Sequence, residues 1–448
     1  MDVGIVVFTR DLRVHDNPTL WRAVHEHEAV LPVFCLDEAI LRSGFNSPNR
    51  AGFLADSLAC LDAALRVRGS QLVVRRGRVA SEIAELARTV DAAAVHIAGD
   101  VSGYSASRRS ALQAALDCRL VVHEDALFAV APGRIVPSGG GDHMRVFSAF
   151  YRRWSAERRR DPLPAPRSID MPKVACGQLP SRADICTGPV SPSLPAGGEQ
   201  AARERLRRWL RSDAAGYAGS HDDLAGDRTS HLSSYLHFGC LSPVDVASRA
   251  NVSEPFVRQL AWRDFHAQIL AVRPDSTRED YRPRGDNWRH APAEFRAWRR
   301  GRTGLPVVDA GMRQLAAEGW MHNRARLIVG HFLSKTLYLD WRLGAGHFAD
   351  LLVDGDVANN TMNWQWVAGT GADSRFNRTY NITTQALRHD PDGEYVRRYV
   401  PELRGIDGPA VHRPWDLPAA ARAALDYPAP IVDVAEGNTR FLQARGKR

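Results

Sequence analysis

The sequence predicts two domains of different class: an α/β domain on a doubly wound, five-stranded parallel sheet, then an all-helical domain. Three observations carry this. The first 130 residues alternate short β-branched runs with longer amphipathic ones, residues 161–200 hold eight prolines, and from about residue 199 helical spacing replaces strand-like alternation. The boundaries that follow are 1–130 for the α/β domain, 131–198 for a linker and 199–448 for the helical domain.

Residues 3–8 read as a buried strand, and 29–36, 72–74, 93–97 and 120–122 as the other four. Helices are expected between them over 18–27, about 49–67, and near 80–90 and 105–117. Apolar strands separated by helices of this length pair in parallel and are covered on both faces. Such a sheet takes ligands at the carboxyl ends of its strands. Neither GxGxxG nor GxxxxGK[ST] occurs, and the glycines of 139–141 read as a flexible turn, so a Rossmann dinucleotide site gains no support. The prolines at 162, 164, 166, 172, 180, 189, 192 and 195 suit a linker draped over the surface.

A chain of 448 residues exceeds one ordinary core. Lys and Arg number 59 against 51 Asp and Glu, a net of +8, which suits a polyanionic partner only if the excess gathers on one face. Cys35, Cys60, Cys118, Cys176, Cys186 and Cys240 show no CxxC spacing and read as reduced thiols. A charged, strand-like opening does not resemble a secretory signal, and no run of about 18 apolar residues would span a membrane. The expectation is a cytoplasmic protein.

Seven of the eleven tryptophans fall between 262 and 366, a pattern open to core packing, redox hopping or base stacking. Asp354-Gly355-Asp356 precedes Asn359-Asn360. Two carboxylates so spaced lack a third metal ligand nearby, but can accept N–H donors from a heterocycle such as a flavin. Thr229, Ser230 and Ser233 surround Leu232 before an apolar helix over 235–241, where hydroxyls and free N–H groups either cap the helix or cradle a phosphate. His25 and His27 read as a solvated helix end, so no metal site is expected.

The opening Phe8-Thr9-Arg10-Asp11-Leu12-Arg13-Val14-His15-Asp16-Asn17-Pro18 resembles the first strand and turn of the photolyases and cryptochromes. Thr229-Ser230-His231-Leu232-Ser233, Trp262-Arg263-Asp264-Phe265, Gly319-Trp320-Met321-His322-Asn323-Arg324, the 354–360 stretch and Trp364-Gln365-Trp366 are similar to further signatures of that family, in family order across nearly the whole chain. Among its members the chain is most similar to bacterial class I cyclobutane pyrimidine dimer photolyases.

The resemblance implies FAD in a pocket formed by Tyr217, Thr229, Ser230, His231, Leu232, Ser233 and Arg263. Arg326 and Asp354 match an ion pair beside the flavin, Asp356 a residue at its polar edge, and Asn360 the residue facing its reactive nitrogen. Trp364, Trp341 and Trp288 match a chain passing electrons to the photo-excited flavin, with Trp298 either packing or an alternative hop. Trp262 and Trp366 match aromatic walls for a flipped pyrimidine dimer, and His221, Asn323, Arg324, Leu327, Arg378 and Gln385 match positions that contact lesion or backbone.

Some positions depart from the family. Gln259 stands where dimer-repairing members carry Glu; six-four photolyases carry Gln there, but also a His pair where this chain has Asn323 and Leu327. Phe256 replaces a Trp, His231 an Arg and Ile382 a Pro. Ser105 and Ala106 occupy the positions of a folate-binding Asn-Glu pair, which speaks against a folate antenna. A deazaflavin near Arg10, Asp37 and Asp100, or no antenna, stays open. The implied function is light-driven repair of cyclobutane dimers by a monomer acting on damaged DNA. The alternatives are a cryptochrome-like photoreceptor and six-four repair.

Overall fold

Val3–Phe8 is apolar along its whole length, so it must be covered on both faces. In the computed structural model, which describes residues 2–446, it is the central strand of one sheet. β1 (Val3–Phe8), β2 (Ala29–Asp37), β3 (Val73–Gly77), β4 (Ala92–Ala98) and β5 (Arg119–His123) lie in the order β3-β2-β1-β4-β5. All four pairings are parallel, with Val3 opposite Ala29 and Val33 opposite Val73. The crossovers are α1 (Pro18–Glu26), α2 (Pro48–Arg66), α3 (Val79–Thr89) and α4 (Gly103–Ala115). α1 begins where the sequence signals it: Pro18 opens the helix, and the Asn17 side chain accepts the Leu20 N–H. α4 starts two residues before the expected 105 because Ser102 caps it.

The strand order reverses between β1 and β4, so the loops after these strands diverge and leave a crevice at the carboxyl edge. Arg10 follows β1, pairs with Asp100 after β4 at 3.3 Å, and reaches Asp356 of the helical domain at 2.5 Å. The crevice suggested for an antenna pigment is thus bridged by Arg10, while Asp37 caps Ala39.

After β5 come α5 (Phe147–Ala156) and a single turn at Arg182–Ile185. The proline-rich stretch is anchored as well as draped. Val30 and Val74 donate their N–H groups to the carbonyls of Asp170 and Cys176, both at 2.7 Å, and Ile169 and Ile185 enter the core.

The helices shaping the second domain are α6 (Glu199–Ser212), α7 (Glu254–Val272), α8 (Pro306–Glu318), α9 (Asn323–His331), α10 (Trp341–Leu351), α11 (Val357–Ala368) and α12 (Ile382–His389). The helix expected over 235–241 is a short one, Ser233–His237, and the chain then turns at Gly239 with φ +66. A Cβ there would stand 1.8 Å from the Arg10 carbonyl oxygen, so only glycine lets the loop after β1 dock. Arg13 completes that contact by donating to the Gly239 carbonyl at 3.0 Å.

All six cysteines are unpaired, and among the described residues no helix is long and apolar enough to cross a membrane. The reading of His25 and His27 as one solvated end needs correction. His25 is exposed, but the His27 ring is 4% exposed and faces His96 of β4, because the chain becomes extended at His27 and turns the ring inward.

Candidate functional site

A cavity of about 430 Å³ opens in the helical domain. At one end it is lined by Tyr217, Thr229, Ser230, His231, Leu232 and Ser233. The Ser233 hydroxyl accepts the Trp320 indole N–H at 3.1 Å. His231 holds a left-handed backbone (φ +53), a conformation that costs a non-glycine residue on the order of 1 kcal/mol. Its Nε2 lies 2.8 Å from both Asp227 carboxylate oxygens, and its ring stacks on Trp320 at 3.7 Å. The imidazole is engaged with these partners, which separates it from the part an Arg would play here.

The deeper wall carries the carboxylates. Arg326 Nη2 donates to Asp354 Oδ2 at 2.8 Å and its Nε to the Met321 carbonyl at 2.8 Å. Asp354 Oδ1 is buried with no partner. An orphaned acceptor costs roughly 1–3 kcal/mol unless a ligand donor meets it, so this oxygen suits the N–H edge of a heterocycle. Asp356 caps α11, accepting from the Asn359 backbone and side-chain nitrogens at 2.9 and 2.7 Å. Burial pushes its carboxyl upward, but Arg10, His237 and Arg263 outweigh burial and hold it well below the usual carboxylate range. Asn360 Nδ2 donates to the Ala345 carbonyl at 3.0 Å, which leaves its side-chain oxygen to offer the cavity. Arg263 also lines the cavity while donating to the Leu127 carbonyl at 2.6 Å.

Towards the mouth the wall becomes aromatic. Trp262 lies flat on Phe147, 3.6 Å between centroids and 7° between planes, so one indole face is covered and the other is left for the cavity. Trp366, His221, Gln259, Asn323 and Leu327 also line the cavity. Gln259 is tied only weakly, its amide donating to the Pro255 carbonyl at 3.4 Å. Arg324, Arg378 and Gln385 stand outside the cavity wall. Arg324 is held by Asp222 at 3.1 and 2.5 Å, and the exposed Arg378 lies 5.9 Å from the Trp366 ring.

The three tryptophans singled out by the sequence differ in depth. Trp364 forms part of the cavity wall, Trp341 is buried with its indole N–H donating to Asp280 at 2.9 Å, and Trp288 is partly exposed. Trp298 is fully buried, 6.1 Å from Trp364. Gly344 of α10 explains how α11 approaches so closely, since a Cβ there would lie 2.2 Å from Trp364 Cη2.

The sequence reading missed His237 and His266, which also line the cavity. Each stands four residues beyond a residue it did name, Ser233 and Trp262, and so one helical turn along the same face. His266 Nδ1 lies 3.0 Å from Asn359 Oδ1.

The N-terminal part matches a family model described as DNA photolyase over residues 4–167, and the C-terminal part matches the FAD binding domain of DNA photolyase over 256–447. Deoxyribodipyrimidine photo-lyase of Streptomyces griseus is 53% identical over 100% of both chains. The chain belongs to the DNA photolyase family. The same family context includes cryptochrome DASH of Gloeobacter violaceus, 35% identical over 96% of this chain and 93% of its own. Among solved structures, a bacterial class III photolyase from Agrobacterium tumefaciens superposes with a TM-score of 0.91 at 32% identity, covering 100% of this chain and 97% of that one. The photolyase FAD-binding domain makes FAD the cofactor of the helical half, and the orphaned Asp354 oxygen fits a heterocycle with N–H groups.

Proposed function

We propose that this protein is a deoxyribodipyrimidine photo-lyase, a carbon–carbon lyase that repairs cyclobutane pyrimidine dimers in DNA under light. The observation that carries the reading is one cavity with two kinds of wall: an unpartnered carboxylate oxygen at Asp354 and the indoles of Trp262 and Trp366. Tyr217, Thr229 to Ser233, Arg263, Arg326, Asp354, Asp356 and Asn360 would hold FAD. When bound and reduced, FAD supplies light-driven donation of one electron, which lets the cyclobutane bonds split before the electron is returned. Trp364, Trp341 and Trp288, deep, buried and partly exposed in turn, resupply electrons from the surface side.

The remaining residues handle DNA. Extruding a base pair costs a few kcal/mol, least for a damaged and poorly stacked one, so a cavity that takes only extruded bases selects lesions. Trp262 and Trp366 stack on the dimer, and Gln259, Asn323, His221 and Leu327 border it. Arg324, Arg378 and Gln385 lie outside the cavity, where backbone contacts belong, and position the strand without reading it. Trp262→Ala should weaken binding of dimer-bearing DNA by about 1–3 kcal/mol, the worth of one base–aromatic stack. Competition binding against undamaged duplex checks this; unchanged affinity would reduce Trp262 to packing against Phe147.

Gln259 gives the alternatives their footing, since an amide lacks the carboxyl of dimer-repairing relatives. Purified protein with reduced FAD is therefore given cyclobutane-dimer and six-four DNA separately under blue light. Loss of the cyclobutane lesion alone is expected. Loss of the six-four lesion alone would move the assignment there, and loss of neither would favour a photoreceptor. We further propose that the protein carries no folate antenna, on the strength of Ser105 and Ala106, and that it acts as a monomer. Extraction should release FAD and no folate; stoichiometric folate would overturn that point.

A further inference from the structure

Far along the chain from the flavin residues, the α/β domain gathers a second chemical cluster. α1 ends at Glu26, and His27 turns its ring over β1, where Gly4 leaves it room, towards β4. A Cβ on Gly4 would lie 2.3 Å from His27 Cδ2. His96, fully buried in the middle of β4, presents Nε2 to His27 Nε2 at 3.0 Å. Glu26 Oε2 lies 4.0 Å from the same His96 nitrogen. The three ligand atoms fall within 4.8 Å of one another.

We propose that Glu26, His27 and His96 form a binding site for a transition-metal dication of the zinc type, clasping the end of α1 to β4.

The hydrogen bonds behind these atoms leave ring nitrogens available to a metal. Asp2 Oδ1 lies 3.0 Å from His27 Nδ1, and a carboxylate only accepts, so Nδ1 carries the proton and Nε2 keeps its lone pair. His96 Nδ1 faces His123 Nε2 at 3.1 Å. His96 Nδ1 either accepts from His123, so that His96 Nε2–H bonds His27 directly, or donates to it; in the second tautomer both Nε2 lone pairs point at each other and a cation between them joins the two rings. The carboxylate behind one imidazole and the imidazole behind the other are the outer partners that orient metal-bound histidines. Tetrahedral zinc, with bonds near 2.0–2.1 Å, sets its donors about 3.3 Å apart. The two nitrogens are close to that spacing already, and Glu26, whose side chain is 27% exposed, needs only a small rotation.

Arg22 and Arg119 oppose binding, at 2.6 and 3.4 Å from Glu26 oxygens. Both are more than half exposed and can swing into water. The place of a fourth ligand is then open to water, which suits a structural clasp of moderate affinity.

The test uses tag-free, FAD-loaded protein stripped with chelator and titrated with zinc alone. Calorimetry and metal analysis after gel filtration should give one zinc per chain. Glu26→Gln and His27→Gln should each weaken binding at least tenfold, and Asp2→Asn about tenfold through its outer-partner role. His25→Ala, outside the cluster, should bind as the native protein does. Flavin absorbance and circular dichroism establish that each variant is folded. If a His27 variant fails to fold, the partly exposed Glu26→Gln decides. Absence of stoichiometric zinc, or equal affinity in Glu26→Gln, would overturn the proposal.

Discussion

Replacing Trp364 by Phe should leave FAD bound and remove most of its photoreduction. The indole forms part of the cavity wall, 4% exposed and 5.0 Å from Phe348. Phenylalanine keeps an aromatic ring there, so the cavity survives, but it is far harder to oxidise and cannot pass an electron on. Flavin absorbance under blue light with an external reductant reads the effect, and photoreduction at the native rate would exclude Trp364 as the first donor. The next step is contested by geometry. In the proposed chain Trp341 passes electrons on to the partly exposed Trp288, while Trp298 lies 6.1 Å from Trp364 but is fully enclosed, its indole N–H bonded to the Val329 carbonyl at 3.1 Å. Trp341→Phe should therefore act like Trp364→Phe. A native rate in Trp341→Phe alone would mean that electrons arrive by way of Trp298.

Acid should destabilise the fold above the pH at which ordinary carboxylates titrate. Burial, the largest cause in each case, holds His123, His266, His322 and His347 down to about 4 and His96 to about 3. His347 has neither ring nitrogen bonded, and His322 Nε2 lacks a partner. An unfolded histidine titrates near 6.5, so below that pH the unfolded chain binds more protons than the folded one. Stability must then fall as pH drops from about 6.5 towards 4. Each pKa unit is worth about 1.4 kcal/mol, so these groups together remove several kcal/mol. Asp264 and Asp390, both pushed up to about 6 by burial, work in the opposite sense, but they are fewer. Asp356, held low, adds to the loss only below the usual carboxylate range, near pH 4. Urea midpoints at pH 7, 6 and 5 should decline steadily; a flat or rising series would contradict this reading of the buried histidines.

What the sequence disclosed follows from the range of its signals. Strand and helix periodicity are local, so the five strands and four crossovers were legible to within a few residues, with Asn17-Pro18 marking the start of α1. Residues that carry a motif were also legible, and Thr229 to Ser233, Asp354, Asn360, Trp262 and Trp366 do meet around one cavity. Long-range partnerships were not. Arg10 reads as part of an antenna crevice, yet its shortest side-chain contact lies 346 positions away at Asp356. His27 reads with its neighbour His25, although one of its partners is 69 residues on, in β4. Periodicity says which face a side chain takes, not which distant group meets it there.

The central claim is that this cavity turns light into dimer repair. The most direct measurement gives protein carrying reduced FAD an oligonucleotide with one cyclobutane thymine dimer, and follows dimer loss under blue light beside a dark control. The account predicts repair in the light at many dimers per protein molecule and none in the dark. A protein that keeps its reduced FAD and binds the oligonucleotide, yet leaves the dimer intact under light, would contradict it.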